Sequence, residues 1–467
     1  MYSRLQRYSL HNILNFKTED RDTRSRILRT SQDWGAIAWT LLSPILVVGE
    51  PASSGVSELL QIMAASKPEA IHLEGTTLEG GGQLLRIALG LSGITTKPVH
   101  ITNIRGKRSG GGGLKAQHLT SMLWLGQASN ARISGAGLKS KEITFTPHSL
   151  PSTHPDILAG HVLISQSTPG SIALVLQAIL PFLLFSGAQN PIQLRITGGT
   201  NVSNSPSIDY VEQVLLPMLS LVGIPSISST LHSRGWSTGR TCLGSATFSI
   251  TPLTTALPAF NLTDRGPITS VHATIVAPLE TEHEFRDNLD LMFEKRHSRF
   301  FPDTSNPQID VTFHPSHHEK RYYLLLVATS STGKILGRDW LYDGSVRAGK
   351  STQIIPNIVR KVSDDLLTEL AHGGCVDEWM ADQLVIYQAL AKGASEVREG
   401  SGERNLHAKT AVWVAETVVG ARFDGQGKCE GVGFCRGIAA GDRDDGAKRD
   451  SNGSGLVEGL ERLAVHD

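Results

Sequence analysis

The feature that most restricts this chain is a unit occurring three times: a helical pattern, a strand, a second helical pattern, then a pair of strands. In the first copy GGGQLLRIALGLSGI is a glycine-led helix, PVHITNI a strand, LKAQHLTSMLWLGQAS the second helix, and ARISG with EITFTP the strand pair. The second copy runs PGSIALVLQAILPFLLF, PIQLRITGG, IDYVEQVLLPMLSLVG, IPSISST and ATFSITP. The third runs DEWMADQLVIYQALAKG, SEVREG, LHAKTAVWVAETVVG, ARFDG and KCEGVGF. The helices carry apolar stripes at the 3.6-residue period, and the strands alternate or run apolar. Each sheet then has a face to bury and helices to cover it. The expected fold class is α/β (α+β): three repeats of a four-stranded sheet with two helices.

The copies divide the chain. Repeats one and two occupy 63–262 and repeat three 372–436, while 263–371 has its own strands (ITSVHATIVAP, YYLLLVATS) and a helix, IIPNIVRKVSDDLLTELAHG. That interval reads as a smaller inserted α/β domain. Its HPSHHEK cluster (His314, His317, His318) contains Pro315 in a polar context, which suits a solvated loop better than a metal site. Residues 1–62 read as a poorly ordered extension. There TEDRDTRSRILRT precedes WGAIAWTLLSPILVVG, an apolar run short for a membrane span and interrupted by Ser43 and Pro44. Residues 437–467, with GDRDDGAKRDSNGSG, lack periodicity and are expected to be disordered.

Lys and Arg number 44 and Asp and Glu 44, so any site for a polyanion must be local. One stretch qualifies. From residue 80 to 141 there is no acidic residue, while Arg86, Lys97, Arg105, Lys107, Arg108, Lys115, Arg132, Lys139 and Lys141 are cationic. Its densest piece, IRGKRSGGGG, joins arginines that match phosphate bidentately to glycines whose N–H groups can approach it. By itself the same piece reads equally well as a flexible solvated loop. Neither GxxxxGK[ST] nor a GxGxxG after a strand is present. The four cysteines form no CxxC pair, which points to a reducing compartment and away from disulfides or structural zinc.

Three short segments carry further candidates. In LEGGGQLLR, Glu79 precedes three glycines at a helix start, an arrangement suited to a hydrated magnesium ion beside phosphates. In WMADQL, Asp382 and Gln383 follow Trp379 by one helical turn, so an aromatic and a carboxylate share a face. That trio either meets a nucleobase or is half-buried structure. In RNLHAKTAVWVAETVVG, His407 stands just ahead of an amphipathic helix, where free N–H groups can hold a phosphate. A neutral imidazole there could be a nucleophile; a capping, packed or metal-binding histidine is the other reading.

Taken in order, EGGGQLLR, IRGKRS…GL…QHL, GS…LVLQ…LP, GGTN…P.IDY, LTDRG, DEW..DQL and LHAKTA resemble the RNA 3′-terminal phosphate cyclases over about residues 70–435. The resemblance implies three sheet-and-two-helix repeats related to the enolpyruvyl transferases, with a smaller inserted domain. It implies ATP-dependent conversion of an RNA 3′-phosphate into a 2′,3′-cyclic phosphodiester, through a histidine–AMP intermediate and an RNA-adenylate anhydride. On it, His407 is the nucleophile, and Gln177, Pro206, Trp379, Asp382 and Gln383 contact the nucleotide. Arg105, Arg108, Gln117 and His118 face the substrate phosphate, and Glu79 lies near Mg2+ or Mn2+. The partners implied are ATP and RNA with a 3′-phosphate end, with neither membrane nor obligate protein partner, in the nucleus (nucleoplasm) or the cytoplasm.

Three departures bear on RNA handling. SGGGG stands where the family has Lys-Pro-Gly, STGRTCLGSA replaces a Pro-Lys-Gly-Gly-Gly run after RGW, and Trp379 stands where tyrosine is common. The alternative is a catalytically inactive cyclase-like factor of ribosome biogenesis (pre-rRNA processing), which lacks the nucleophilic histidine; the retained His407 favours the enzyme. An enolpyruvyl-type transferase fits less well, given the inserted domain and the IRGKR loop. Because the repeats begin after residue 62, a chain starting at Met63 is expected to fold and keep its activity. Loss of soluble protein on that truncation would show that the removed segment packs on the core.

Overall fold

Strands that bury every second residue need cover, and this chain supplies two helices with most of its sheets. The computed structural model describes residues 69–436 apart from 109, 151–152, 343, 345–352 and 402–403. The expectations for residues 1–62, for a start at Met63 and for 437–467 lie outside the described residues. Among the described residues the protein is a mixed α/β structure with four four-stranded mixed sheets. Among the described residues no helix is long and apolar enough to cross a membrane.

The first sheet comprises β1 (Ile71–Glu74), β2 (Val99–Thr102), β3 (Arg132–Ser134) and β4 (Ile143–Thr146), with helices α1 (Gly82–Thr95) and α2 (Ala116–Ala128). Its order is β1-β2-β4-β3, with β1 parallel to β2 and the other pairs antiparallel. After a short helix, α3 (Pro155–Leu158), come β5 (His161–Ser165), α4 (Ile172–Leu184) and β6 (Ile192–Gly198). Next are α5 (Ile208–Tyr210), which runs through a π-helical turn (Val211–Leu215) into α6 (Leu216–Leu221), then β7 (Ser228–Ser233) and β8 (Gly244–Ile250). The second sheet is ordered β5-β6-β8-β7, again with only its first pair parallel. β5 alternates exposed and buried residues, as a strand covered on one face should. By contrast α4, IALVLQAILPFLL, is apolar nearly all round and accordingly buried.

A two-residue strand, β9 (Asn261–Leu262), precedes β10 (Ile268–Ala277), α7 (Glu282–Phe300), β11 (Gln308–Pro315), β12 (Tyr323–Ser330), β13 (Ile335–Leu341) and α8 (Ile354–His372). These four long strands form a sheet of order β11-β10-β12-β13. The chain then continues with α9 (Glu378–Leu390), β14 (Lys392–Val397), α10 (Leu406–Val419), β15 (Arg422–Phe423) and β16 (Lys428–Val432). Here the order is β9-β14-β16-β15, with β9 parallel to β14 and the rest antiparallel. This last sheet thus takes its outer strand from before the β10–β13 sheet.

Two details differ from the sequence reading. The strand expected at SEVREG lies earlier, at Lys392–Val397, because its ladder with β16 runs from Lys392 opposite Val432 to Glu396 opposite Lys428. His314 belongs to β11 rather than to a loop, and Pro315 closes that strand; β11 is an edge strand, where a missing N–H is tolerated. Only His317 and His318 stand in the turn beyond it.

β12 is the strand that joins two cores. Tyr323, Leu325 and Val327 belong to the large core shared with α1, α4, α9 and α10. Leu324, Leu326 and Ala328 belong to a second core with Phe285, Leu289, Ile358 and Leu366 of α7 and α8. Leu324 and Leu325 are both 0% exposed. Truncating either to alanine is expected to cost about 2–5 kcal/mol of stability. If β12 couples the cores, Leu324→Ala and Leu325→Ala lower one common denaturant transition. Two separable transitions would show independent cores.

Candidate active site

The first turn of α1 begins where the chain is stripped of side chains. Gly80 takes a left-handed φ of +62°. A Cβ on Gly81 would lie 2.0 Å from Glu79 Oε1 and 2.8 Å from Arg108 Nη2; one on Gly82 would lie 2.6 Å from His118 Nε2 and 2.9 Å from Arg86 Nη1. The glycines therefore let one carboxylate, one imidazole and two guanidinium groups converge on a helix N-terminus. That convergence opens into a cavity of about 630 Å³. Glu79, Arg105, Arg108, Gln117, His118, Gln177, Pro206, Trp379, Asp382, Gln383 and His407, every residue to which the resemblance gave a role, line it.

Glu79 is the hub. Its side chain is 7% exposed, and Arg108 donates to its Oε1. Its backbone N–H donates to Thr410 Oγ1 of α10 at 3.3 Å. Oε2 is buried, accepts no hydrogen bond from a described residue, and lies 3.5 Å from His407 Nδ1. His407 stands in the first turn of α10, whose N-cap Asn405 accepts from Ala408 N at 2.7 Å. Two helix N-termini, those of α1 and α10, thus meet at one carboxylate.

The phosphate-type candidates come from the turn before α2 and from α2 itself. Arg105 has a left-handed φ of +54° and donates from Nη1 to Gly113 O at 3.2 Å. Burial first, then the adjacent Arg108, press its guanidinium to a lowered pKa, with Glu79 opposing. His118 is pushed down to about 3, first by burial and then by Arg86, Arg105 and Lys115, so its ring is neutral. Its Nδ1 accepts from Lys115 N at 3.3 Å, which assigns the ring hydrogen to Nε2. Gln117 also has a structural bond. Its Oε1 accepts from Ser171 N at 2.9 Å, tying α2 to the start of α4 and leaving only its amide hydrogens for a ligand.

At the nucleotide-type end, Trp379 is half-buried and Pro206 buried, and Gln383 donates to Trp379 O at 3.3 Å. Burial pushes the Asp382 carboxyl up to about 8; Arg86 works against the shift and Glu79 adds to it. Asp382 is therefore an acid near neutral pH. Arg86, which sequence reasoning counted only as charge, proves central: its Nε donates to Gln177 Oε1 at 2.6 Å, and its Nη2 to Gln83 Oε1. Lys115 and residues 202–205 also line the cavity without having been singled out. The signals were present, since Arg86 and Lys115 lie in the acid-free stretch and 202–205 continue the GGTN motif.

Arg86, Arg105, Arg108 and Lys115 face two carboxyls, one of which keeps its proton. Such a wall selects anions, and its arginines and helix N-termini suit phosphate oxygens. Among the described residues no three His, Cys, Asp or Glu side chains converge as a metal cage. The unpartnered Glu79 Oε2 nevertheless fits the single carboxylate that a magnesium-type ion shares with substrate phosphates and water.

Residues 77–424 match the family described as RTC, RNA 3′-terminal phosphate cyclase. Proteins named RNA 3′-terminal phosphate cyclase are similar along most of their length. That from Drosophila melanogaster is 30% identical over 364 residues, covering 76% of this chain and 92% of the relative. The one from Staphylothermus marinus is 33% identical over 357 residues (74% and 92%), and that from Pyrococcus furiosus 30% over 366 (78% and 96%).

The raised Asp382 pKa has a definite sign in stability. Between the ordinary value of 3.8 and about 8 the folded protein holds a proton that the unfolded chain has released. Stability from this group is therefore full below that window and falls as pH rises through it. Asp382→Asn removes the ionisation. The melting temperature of the variant, relative to the unmodified protein, is expected to climb from pH 4 to pH 8 and then level. A flat difference would place the ionisation elsewhere.

Proposed function

The chain belongs to the RNA 3′-terminal phosphate cyclase family, and from that premise we propose that it cyclises RNA 3′-phosphate ends with ATP, using His407 as the carrier of AMP. The observation that carries this reading is the placement of His407 at a helix N-terminus, Nδ1 toward Glu79, in a cation-lined cavity. With Nδ1 on the Glu79 side of the ring, Nε2 is left as the attacking nitrogen. In the first step Nε2 bonds to the α-phosphorus of ATP and pyrophosphate leaves. An oxygen of the RNA 3′-phosphate then takes the adenylyl group, breaking the P–N bond and freeing His407. Finally the vicinal 2′-OH attacks the activated RNA phosphorus, loses its proton and expels AMP. That last attack is intramolecular, so the site needs mainly to hold the end in place.

The remaining residues divide by chemistry. Arg105, Arg108 and the Nε2–H of His118 bind phosphate oxygens, with Gln117 contributing its amide hydrogens. Trp379 and Pro206 contact the base, with Gln177 and Gln383 beside them. Protonated Asp382 adds no negative charge against the phosphates. A divalent cation, Mg2+ or Mn2+, held at Glu79 Oε2 would neutralise phosphate charge when bound. The finer architecture, three repeated units and a smaller inserted domain at 263–371, is supported by the strand order shared by three sheets and by the separate α7–α8 core.

His407→Asn keeps a polar side chain at a helix start, so folding is expected to change by no more than about 1 kcal/mol. Transfer of label from α-labelled ATP to protein, and cyclisation, should both vanish while RNA binding persists. RNA ending in a 3′-OH should not be modified by the unmutated protein. A labelled Asn variant would mean another nucleophile. Absence of label on the unmutated protein with either metal would favour the ribosome-biogenesis reading.

A further inference from the structure

Trp379 lines two neighbouring cavities, the one with His407 and a second of about 420 Å³, and residues 202–205 border both. A ring at the junction of two open volumes needs something to set its plane. The only cation over it among the described residues is Arg338 of β13, whose guanidinium carbon lies 5.8 Å from the ring centroid. Arg338 lines the second cavity and not the first. Its own position is fixed from two helices: it donates to Glu369 of α8 and, at 2.7 Å, to Glu378 of α9. Burial opposes its charge, but Glu369 and Glu378 outweigh burial and hold the guanidinium firmly protonated.

The neighbouring residue grips the same helix. Gly337 N donates to Asp377 Oδ2 at 2.7 Å, and Asp377 Oδ1 accepts from Tyr210 Oη at 2.7 Å and caps α9 at Met380 N, 2.9 Å away. A Cβ on Gly337 would stand 2.7 Å from Val214 Cγ2, so glycine lets β13 lie close against the π-helical turn. Two residues of β13 therefore hold the N-cap of α9 and its first two residues: Asp377, Glu378 and Trp379.

We propose that Arg338 is a positioning residue for the nucleobase, backing the Trp379 ring from the second cavity so that its free face is presented to the base of ATP. This rests on the reading that Trp379 contacts that base. The β10–β13 sheet thereby helps to build the nucleotide site without touching the nucleotide. A cation behind the ring limits its rotation into the empty volume, and base stacking depends on a fixed ring plane.

Removing Arg338 alone would strand the buried Glu369 carboxylate, so the test pairs Arg338→Met with Glu369→Gln in the full chain. Two quantities are read: the KM for ATP in label transfer, and inhibition by inorganic tripolyphosphate, which has no base. The KM for ATP is expected to rise about ten-fold, with kcat and the tripolyphosphate inhibition constant changing by no more than about two-fold. Arg338→Lys, which keeps a cation near the ring, should recover part of the loss. A general structural defect would weaken ATP and tripolyphosphate together, and that result overturns the proposal. Trp379→Ala separates the two levels of inference. If it raises the KM for ATP while the Arg338 variants do not, the support role falls alone. If it leaves the KM unchanged, the base contact at Trp379 falls and the support role with it.

Discussion

The site hangs on one buried carboxylate. Glu79 is reached from three directions: Thr410 at its backbone N–H, Arg108 at Oε1 and His407 across from Oε2. A carboxylate with 7% exposure is costly unless it is partnered, and here the partners come from two distant pieces of chain, the basic turn (Arg108) and the start of α10 (His407 and Thr410). Meeting that requirement fixes α10 against the start of α1, and the basic turn against both. The glycines at 80, 81 and 82 are the steric condition for this meeting, because side chains at 81 and 82 would occupy the positions of Glu79 and His118. The geometry of the cavity and the burial of Glu79 are thus one constraint seen from two sides.

Electrostatics in the cavity is shaped as much by groups held neutral as by charged ones. Burial strips His118 of a proton and makes Asp382 keep one. The first change avoids adding a cation to a crowded set; the second removes an anion that would repel phosphate. A chain with equal numbers of acidic and basic residues thereby maintains a strongly cationic interior wall. The compensating acids lie outside the 80–141 stretch, which keeps the field local.

Much of this was legible in the sequence, for an identifiable reason. Glu79, His118, Asp382 and His407 sit at or near helix starts, where short motifs specify both backbone and chemistry, and all four line the cavity. What escaped depends on distant partners. Arg86 reads as one cation on an apolar helix until Gln177 and Asp382 are brought beside it. Nothing near Gln117 in the sequence shows that its carbonyl accepts from Ser171 N, 54 positions away. β9 has two residues, too few for any periodicity, and its partner Glu396 follows Asn261 by 135 positions (396 − 261). The altered SGGGG turn still delivers Arg105 and Arg108 to the cavity, which its composition alone left open.

The pairing of β9 with β14 and the two faces of β12 together determine where this chain can change length. Asn261 and Glu396 are held side by side, so the path between them is a closed loop. Doubling such a loop costs only about 0.6 kcal/mol in closure entropy. Register along β12 is another matter. Its side chains alternate between two cores, so a slip of one residue would exchange the members of both. It would also carry the Tyr323 hydroxyl away from Ser207 and Asp339 and into an apolar layer of phenylalanines and leucines. Insertions and deletions in this family member are therefore cheap in the connections along the path from β9 to β14 and prohibitive within eight residues of it, Tyr323–Ser330.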